Sequence, residues 1–68
     1  MISERLDALV DEMVDRGVRF EDALRELEKR FIARTLSRRY GSLTKTADAL
    51  GLHRNTLSRK MEQYKIKR

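Results

Sequence analysis

The chain contains no cysteine, no proline and no tryptophan, and it has a single histidine among its 68 residues. Without cysteine it can form no disulfide and no zinc finger and can perform no thiol chemistry, and His53 alone cannot hold a metal ion. No apolar run reaches the roughly 20 residues that would span a membrane, and the charged start MISERLDALV is unlike a secretory signal. We therefore expect no metal, no cofactor, no membrane partner and a cytoplasmic location.

Glycine is also scarce, with three residues, whereas 40% of the chain is charged. With no proline to interrupt helices, this composition predicts a compact all-α protein. A chain this short forms one domain and buries only about 60% of its unfolded surface, so a monomer would be marginally stable. No nucleophile, metal set or pocket-forming strand accompanies the acidic residues, and we expect no enzymatic activity.

The charges are unevenly distributed along the chain. Residues 1–30 hold six Lys/Arg and nine Asp/Glu, a net charge of −3, whereas residues 31–68 hold ten and two, a net charge of +8. A basic half predicts a polyanionic partner at that end of the molecule. The alternative is that these side chains only solvate helix surfaces. The absence of any acid from residues 51–61 favours a nucleic-acid partner.

Residues 44–61, TKTADALGLHRNTLSRKM, have the pattern of a DNA-binding helix-turn-helix. A short helix is predicted from Ser42 to Leu50, ending at Gly51, and a second helix begins by about Arg54. In such a unit the second helix enters the major groove of DNA. The small core that the two helices share is predicted to contain Ala47, Leu50, Leu52, Leu57, Met61 and Tyr64.

Two longer helices are predicted before this unit, helix A from Ser3 to Arg16, capped by Ser3, and helix B from Phe20 to Arg39. The predicted architecture is one four-helix domain, 1–68, in which a helical dimerisation pair, 1–40, precedes the helix-turn-helix, 42–64. The two aromatic residues near helix ends, Tyr40 and Tyr64, are expected to pack at the core or its rim, with stacking on single-stranded nucleic acid as the alternative.

Helices A and B carry more apolar side chains than the C-terminal hairpin can cover. Two copies of the chain could bury these stripes in an antiparallel helical bundle, and a two-fold dimer also suits a palindromic DNA site. The alternative is a monomer in which helix A folds over the hairpin. The predicted dimer interface consists of Leu6, Leu9, Val10, Met13, Leu24, Leu27 and Phe31.

The start of the second hairpin helix supplies the candidate base contacts. Arg54 can pair with O6 and N7 of guanine, with a phosphate contact as the alternative. His53 is expected either to cap the helix or to touch a base. Asn55 could pair with adenine or lie on the surface, and Thr56 could hold a phosphate or bond within the helix start.

The candidate phosphate contacts lie around these residues. Arg59 and Lys60 are predicted to grip phosphates without reading sequence. Ser42 is predicted to cap the first hairpin helix and, second, to hold a phosphate beside free backbone amides. Thr44, in the first turn of the same helix, is also predicted to contact a phosphate.

Residues 28–68 resemble the C-terminal helix-turn-helix of the Fis family, and resemble still more the DNA-binding domains of NtrC-type enhancer-binding regulators of sigma-54 promoters. Three linked segments carry the resemblance: E-x-x-F-I-x-x-x-L in helix B, K-T-A-D-A-L-G-L in the first hairpin helix and H-R-N-T-L-x-R-K-M in the second. The resemblance implies a dimer formed through helices A and B, with both recognition helices in successive major grooves of DNA that is often bent.

Carried over by position, the resemblance also implies individual contacts. His53, Arg54, Thr56 and Arg59 fall where family members touch bases and phosphates, and Ser42, Thr44 and Lys60 fall at phosphate contacts. Ser58 stands where Fis has a basic residue, so that contact is altered here. The β-hairpin arm of Fis and the ATPase and receiver domains of NtrC-type regulators are not part of this sequence, which could be a small protein or a domain of a longer parent.

The leading hypothesis is sequence-specific binding of double-stranded DNA by a homodimer in bacterial transcription, at the nucleoid. One alternative is a nucleoid-type architectural protein that bends DNA with weak sequence preference. A second alternative, of another class, is a protein-interaction or dimerisation module with an incidental basic tail.

Overall fold

The computed structural model describes residues 1–67, which form four α-helices and no strand. The predicted all-α, four-helix fold class is confirmed, and Arg68, the last residue of the predicted domain, lies outside the described residues. The helices are α1 (Ile2–Asp15), α2 (Phe20–Arg38), α3 (Leu43–Leu50) and α4 (Arg54–Tyr64).

Helix α1 begins one residue before the position that the sequence indicated. The amide of Arg5 donates to the carbonyl of Met1 at 3.3 Å, so Met1 is the N-cap and Ser3 lies inside the helix. The prediction that Ser3 caps this helix is therefore wrong. At the other end the helix closes across Gly17, where the amide of Val18 donates to the carbonyl of Met13 at 2.9 Å.

Helix α2 ends one residue earlier than predicted, and the chain then turns sharply. Tyr40 and Gly41 both have positive φ, at 53° and 79°, and the amide of Gly41 donates to the carbonyl of Leu36 at 3.0 Å. The side chain of Tyr40 is 97% exposed. The expectation that Tyr40 packs at the core or rim is wrong, because the left-handed turn places this residue outside the contact between α2 and α3.

The hydrophobic core lies where α2, α3 and α4 meet. Its buried side chains are Ile32, Leu36, Ala47, Leu57 and Met61, and those packed against it are Leu43, Leu50, Tyr64 and Ile66. The predicted inward face of α4 is thereby confirmed, since Leu57 and Met61 are buried and Tyr64 is partly buried. The core fixes the hairpin of α3 and α4 against the second half of α2.

Helix α1 takes no part in this core, because none of its residues is buried. The packed helices are α2, α3 and α4, so α1 is not folded over the hairpin as the monomeric alternative required. The radius of gyration is 13.6 Å, whereas a compact domain of this length would have about 11 Å. The chain is therefore elongated, with the apolar stripes of α1 and α2 left open.

Candidate nucleic-acid interface

The first turn of α3 is held by Ser42, as predicted. The hydroxyl oxygen of Ser42 accepts a hydrogen bond from the amide of Lys45 at 3.2 Å, and its carbonyl accepts one from the Thr46 hydroxyl at 2.6 Å. Thr46 is fully buried, so these bonds fix the helix start on the core. Thr44 is exposed in the same turn. First-turn amides and the helix dipole make such an end favourable for an anion.

The turn between α3 and α4 depends on Gly51. Its φ of +70° lies in the left-handed region, which a residue with a Cβ adopts at a cost of roughly 1–2 kcal/mol. Across it, the amide of Leu52 donates to the carbonyl of Ala47 at 2.9 Å. Leu50 and Leu52 are partly buried on either side of the glycine. This turn is short and closed, so it fixes where α4 begins.

Helix α4 starts at a histidine cap. Nδ1 of His53 accepts a hydrogen bond from the amide of Asn55 at 3.1 Å, so the capping alternative for His53 is confirmed. An accepting Nδ1 carries no proton, which leaves the proton of the neutral ring on Nε2 as a donor. His53 is exposed. The residue can therefore cap the helix with one ring nitrogen and offer the other to a ligand.

The exposed face of α4 is polar and free of acids over its first two turns. Leu57 and Met61 share the inward face of the helix because they are four positions apart, whereas Ser58 and Arg59 between them are exposed. Residues 51–61 contain no Asp or Glu. The predicted DNA-binding residues that the structure places on this exposed surface are His53, Arg54, Asn55, Ser58 and Arg59.

Lys60 departs from this arrangement. Its ammonium nitrogen lies 2.8 Å from Oε1 of Glu28 on α2, and the two side chains are only 30% and 38% exposed. The ammonium is already paired within the protein, so a phosphate contact would require this ion pair to open. The predicted phosphate contact of Lys60 stays a prediction. Thr56, one turn before Lys60, is partly buried.

Tyr64 completes a three-residue contact between α2 and α4. Its hydroxyl donates to the same Oε1 of Glu28 at 2.9 Å. The hydrogen bond from Lys60 lowers the pKa of the Glu28 carboxyl, and the bond from Tyr64 acts in the same direction. Desolvation raises the pKa of the Tyr64 hydroxyl, and its bond to Glu28 raises it further. We call Glu28, Lys60 and Tyr64 the α2–α4 clamp.

Sequence reasoning assigned no role to Glu28. A signal was present, because Glu28 lies four residues before the core residue Ile32 and therefore on a partly apolar helix face. A lone acid in that position needs a partner. The partner itself could not be read from the sequence, since Lys60 and Tyr64 lie 32 and 36 positions further on.

A second basic surface lies beside this interface. A shallow cleft between α2 and α3 is lined by four arginines, together with Leu27, Phe31, Thr35 and Ala49. The side chains that line this cleft include no acid. The arginines are Arg30, Arg34, Arg38 and Arg39.

Two further observations concern the described residues as a whole. None of the helices within 1–67 has the length and apolarity needed to cross a membrane. In the same range, no three His, Cys, Asp or Glu side chains are grouped so that they could hold a metal ion.

Helix α3, the turn at Gly51 and helix α4 define a helix-turn-helix domain of the DNA-binding type. A family model described as "Bacterial regulatory protein, Fis family" matches residues 23–64. This match covers more than half of the chain, from the first turns of α2 to the end of α4, and the chain belongs to the Fis family of bacterial regulatory proteins. No curated protein and no solved structure matches the chain.

Proposed function

We propose that the chain binds double-stranded DNA sequence-specifically as a homodimer, with α4 in the major groove, and thereby regulates bacterial transcription. The observation that carries this proposal is the exposed, acid-free first half of α4, presented by a helix-turn-helix of the Fis family. A cationic helix start without acids is suited to approach the phosphate backbone and base edges together.

The geometry supports distinct contacts for the exposed residues. Arg54, at the start of α4, is suited to a bidentate contact with guanine. His53 offers Nε2–H once Nδ1 caps the helix, and Asn55 is placed beside it for adenine or for the surface. The other predicted contacts would hold phosphates and fix the register of the protein on DNA, from the exposed Thr44, Ser58 and Arg59 and the partly buried Ser42 and Thr56.

The exposed surface area supports the homodimer. The chain exposes 6025 Å², whereas a compact monomer of 8.1 kDa would expose about 4,500 Å². The excess is larger than the roughly 800 Å² that each partner buries in a stable interface of ordinary size. Part of the exposed apolar surface lies on the predicted interface of α1 and α2, where six side chains are 41–59% exposed: Leu6, Leu9, Val10, Leu24, Leu27 and Phe31.

The resemblance to NtrC-type regulators supports a role at sigma-54 promoters, in the bacterial cytoplasm at the nucleoid. An ATPase domain and a receiver domain are the attachments to look for in a longer parent protein.

One observation favours a second candidate function. The cleft between α2 and α3 gathers Arg30, Arg34, Arg38 and Arg39, which could hold a DNA backbone, although Leu27 and Phe31 of the same cleft belong to the proposed dimer interface. Contacts of this kind depend on DNA deformability rather than base edges, as in architectural proteins that bend DNA.

Selection of binding sites from a random double-stranded library, at near-physiological salt, tests the proposal. A two-fold symmetric motif with defined spacing is the expected result. Enrichment of only flexible, A·T-rich sequence would favour the architectural candidate. No enrichment would contradict DNA binding and would favour a protein-interaction module.

The Arg54→Ala variant tests the recognition helix. Loss of a bidentate guanine contact should weaken specific binding by about 1–3 kcal/mol and relax the preference at one base pair per half-site. The measurement is titration of the selected duplex and of its single-base variants. Arg5→Ala, an exposed arginine on α1, is the matched control and should bind like the parent. Equal affinity for all three proteins would show that Arg54 reads no base.

A further inference from the structure

The α2–α4 clamp joins the recognition helix to α2 by side chains that meet at one oxygen atom. Lys60 and Tyr64 are four apart on α4, so both reach Glu28 from the same row of the helix. Their distances to Oε1 of Glu28 are 2.8 Å and 2.9 Å. The buried contacts between these helices are apolar and have no preferred direction, whereas this contact fixes the position of one cation.

Lys60 lies on the flank of α4 that also carries Thr56, one turn closer to the helix start. Because Thr56 is a proposed DNA ligand, an extended Lys60 side chain on the same row would lie within reach of the same phosphate backbone. The clamp turns the ammonium the other way, towards α2. A lysine side chain is flexible and partly exposed here, so its orientation depends on its partner.

We propose that Glu28 is a positioning residue that holds Lys60 away from the DNA phosphates and so limits the number of phosphate contacts that α4 makes. This inference rests on the proposed DNA binding. A phosphate could recruit Lys60 only by displacing the Glu28 carboxylate, and the Tyr64 hydroxyl holds that carboxylate in place. Lys60 therefore adds no phosphate contact to the non-specific, salt-dependent affinity for DNA.

Four proteins test this inference: the parent, Glu28→Gln, Lys60→Met and the double variant. Glutamine keeps an amide oxygen that can accept the hydrogen bond from Tyr64, so the fold is preserved while the charge that holds Lys60 is removed. The measurement is the salt dependence of affinity for a random-sequence duplex. Each added phosphate contact steepens the slope of log K against log salt by about 0.9.

In Glu28→Gln the slope should steepen by about 0.9 for each bound protomer. Lys60→Met should leave the slope of the parent unchanged, because its ammonium makes no phosphate contact. In the double variant the slope should return to that of the parent. A steeper slope that persists in the double variant would show only the loss of a negative charge, and would overturn the inference.

Two controls and one independent measurement complete the test. Glu21→Gln removes an exposed acid at the start of α2 and should not change the slope, and Tyr64→Phe should steepen it less than Glu28→Gln. Chemical acetylation of Lys60 in the absence of DNA, measured by mass spectrometry, should be faster in Glu28→Gln than in the parent. An unchanged acetylation rate would overturn the inference.

The tests of Arg54 and Glu28 distinguish failure of the proposed DNA binding from failure of the inference on Glu28. If Arg54→Ala loses specific binding while Glu28→Gln leaves the slope unchanged, the inference on Glu28 fails and DNA binding stands. If the parent binds no duplex, both fail.

Discussion

If the exposed apolar residues of α1 and α2 form the dimer interface, an acid in place of Leu27 should dissociate the dimer. This side chain is 54% exposed in the single chain and lies between Leu24 and Phe31 on the open face of α2. Full burial of a leucine stabilises by about 1.5–3 kcal/mol, so a partner that covers the exposed half of Leu27 contributes about 1 kcal/mol per protomer. Each contact occurs twice in a two-fold dimer.

Leu27→Asp removes this contribution twice and places two carboxylates in an apolar interface. Burial of a polar group without a partner adds at least 1 kcal/mol for each copy. The dimer should therefore weaken by about 4 kcal/mol or more, which raises its dissociation constant about a thousandfold. The measurement is sedimentation equilibrium at tens of micromolar, where the parent should have twice the 8.1 kDa chain mass and the variant the mass of one chain.

Ala33→Asp is the matched control, because it adds the same acid at an exposed position on the opposite side of α2. Circular dichroism separates dissociation from unfolding, since the core around Ile32 and Leu57 does not contain Leu27. A parent of single-chain mass, or a Leu27→Asp variant of unchanged dimer mass, would refute the assignment of this face to the dimer.

Three further predictions concern the hairpin and its clamp. Leu57→Ala removes a side chain with 0% exposure and should destabilise the fold by about 2–5 kcal/mol in urea denaturation; a smaller loss would show that the core collapses around the gap. Gly51→Ala has open space around the added Cβ, so its expected cost in the same assay, about 1–2 kcal/mol, is that of the left-handed φ alone; no loss would show that the turn readjusts. The pKa of Glu28 is lowered below its ordinary 4.5, so its clamp stabilises the fold above about pH 4.5 and fades as the pH falls through the folded-state pKa; Glu28→Gln should therefore flatten the acid side of the stability profile, and an unchanged profile would contradict this assignment.

The parts of the fold that the sequence predicted well are those determined within one or two helical turns. Ser42 caps α3 and Gly51 ends it because each depends on its immediate neighbours and its own backbone conformation. The spacing of Leu57 and Met61 likewise determined the buried face of α4. The positions of α4 outside that spacing were therefore predicted to form its polar, exposed face.

The features that sequence reasoning missed depend on distant parts of the chain. Lys60 was predicted to contact a phosphate, and its partner Glu28 was not foreseen because it lies on α2, 32 positions earlier. Tyr40 was expected to pack because it is aromatic, yet its positive φ follows from the closure of α2 onto Gly41. The periodicity of apolar residues identifies neither a partner on a distant helix nor a residue with positive φ.

Helix α2 packs against the hairpin on one side and, in the proposed dimer, against the second protomer on the other. Its 19 residues form a continuous rod of about 28 Å, with Leu27 on the open face and Ile32 on the hairpin core. In the proposed dimer this rod would set the distance between the two α4 helices, whereas the first turn of α4 would set the base preference. Operator spacing and operator sequence can then diverge through substitutions in different helices, so that related regulators could share one spacing while each acquires its own target genes.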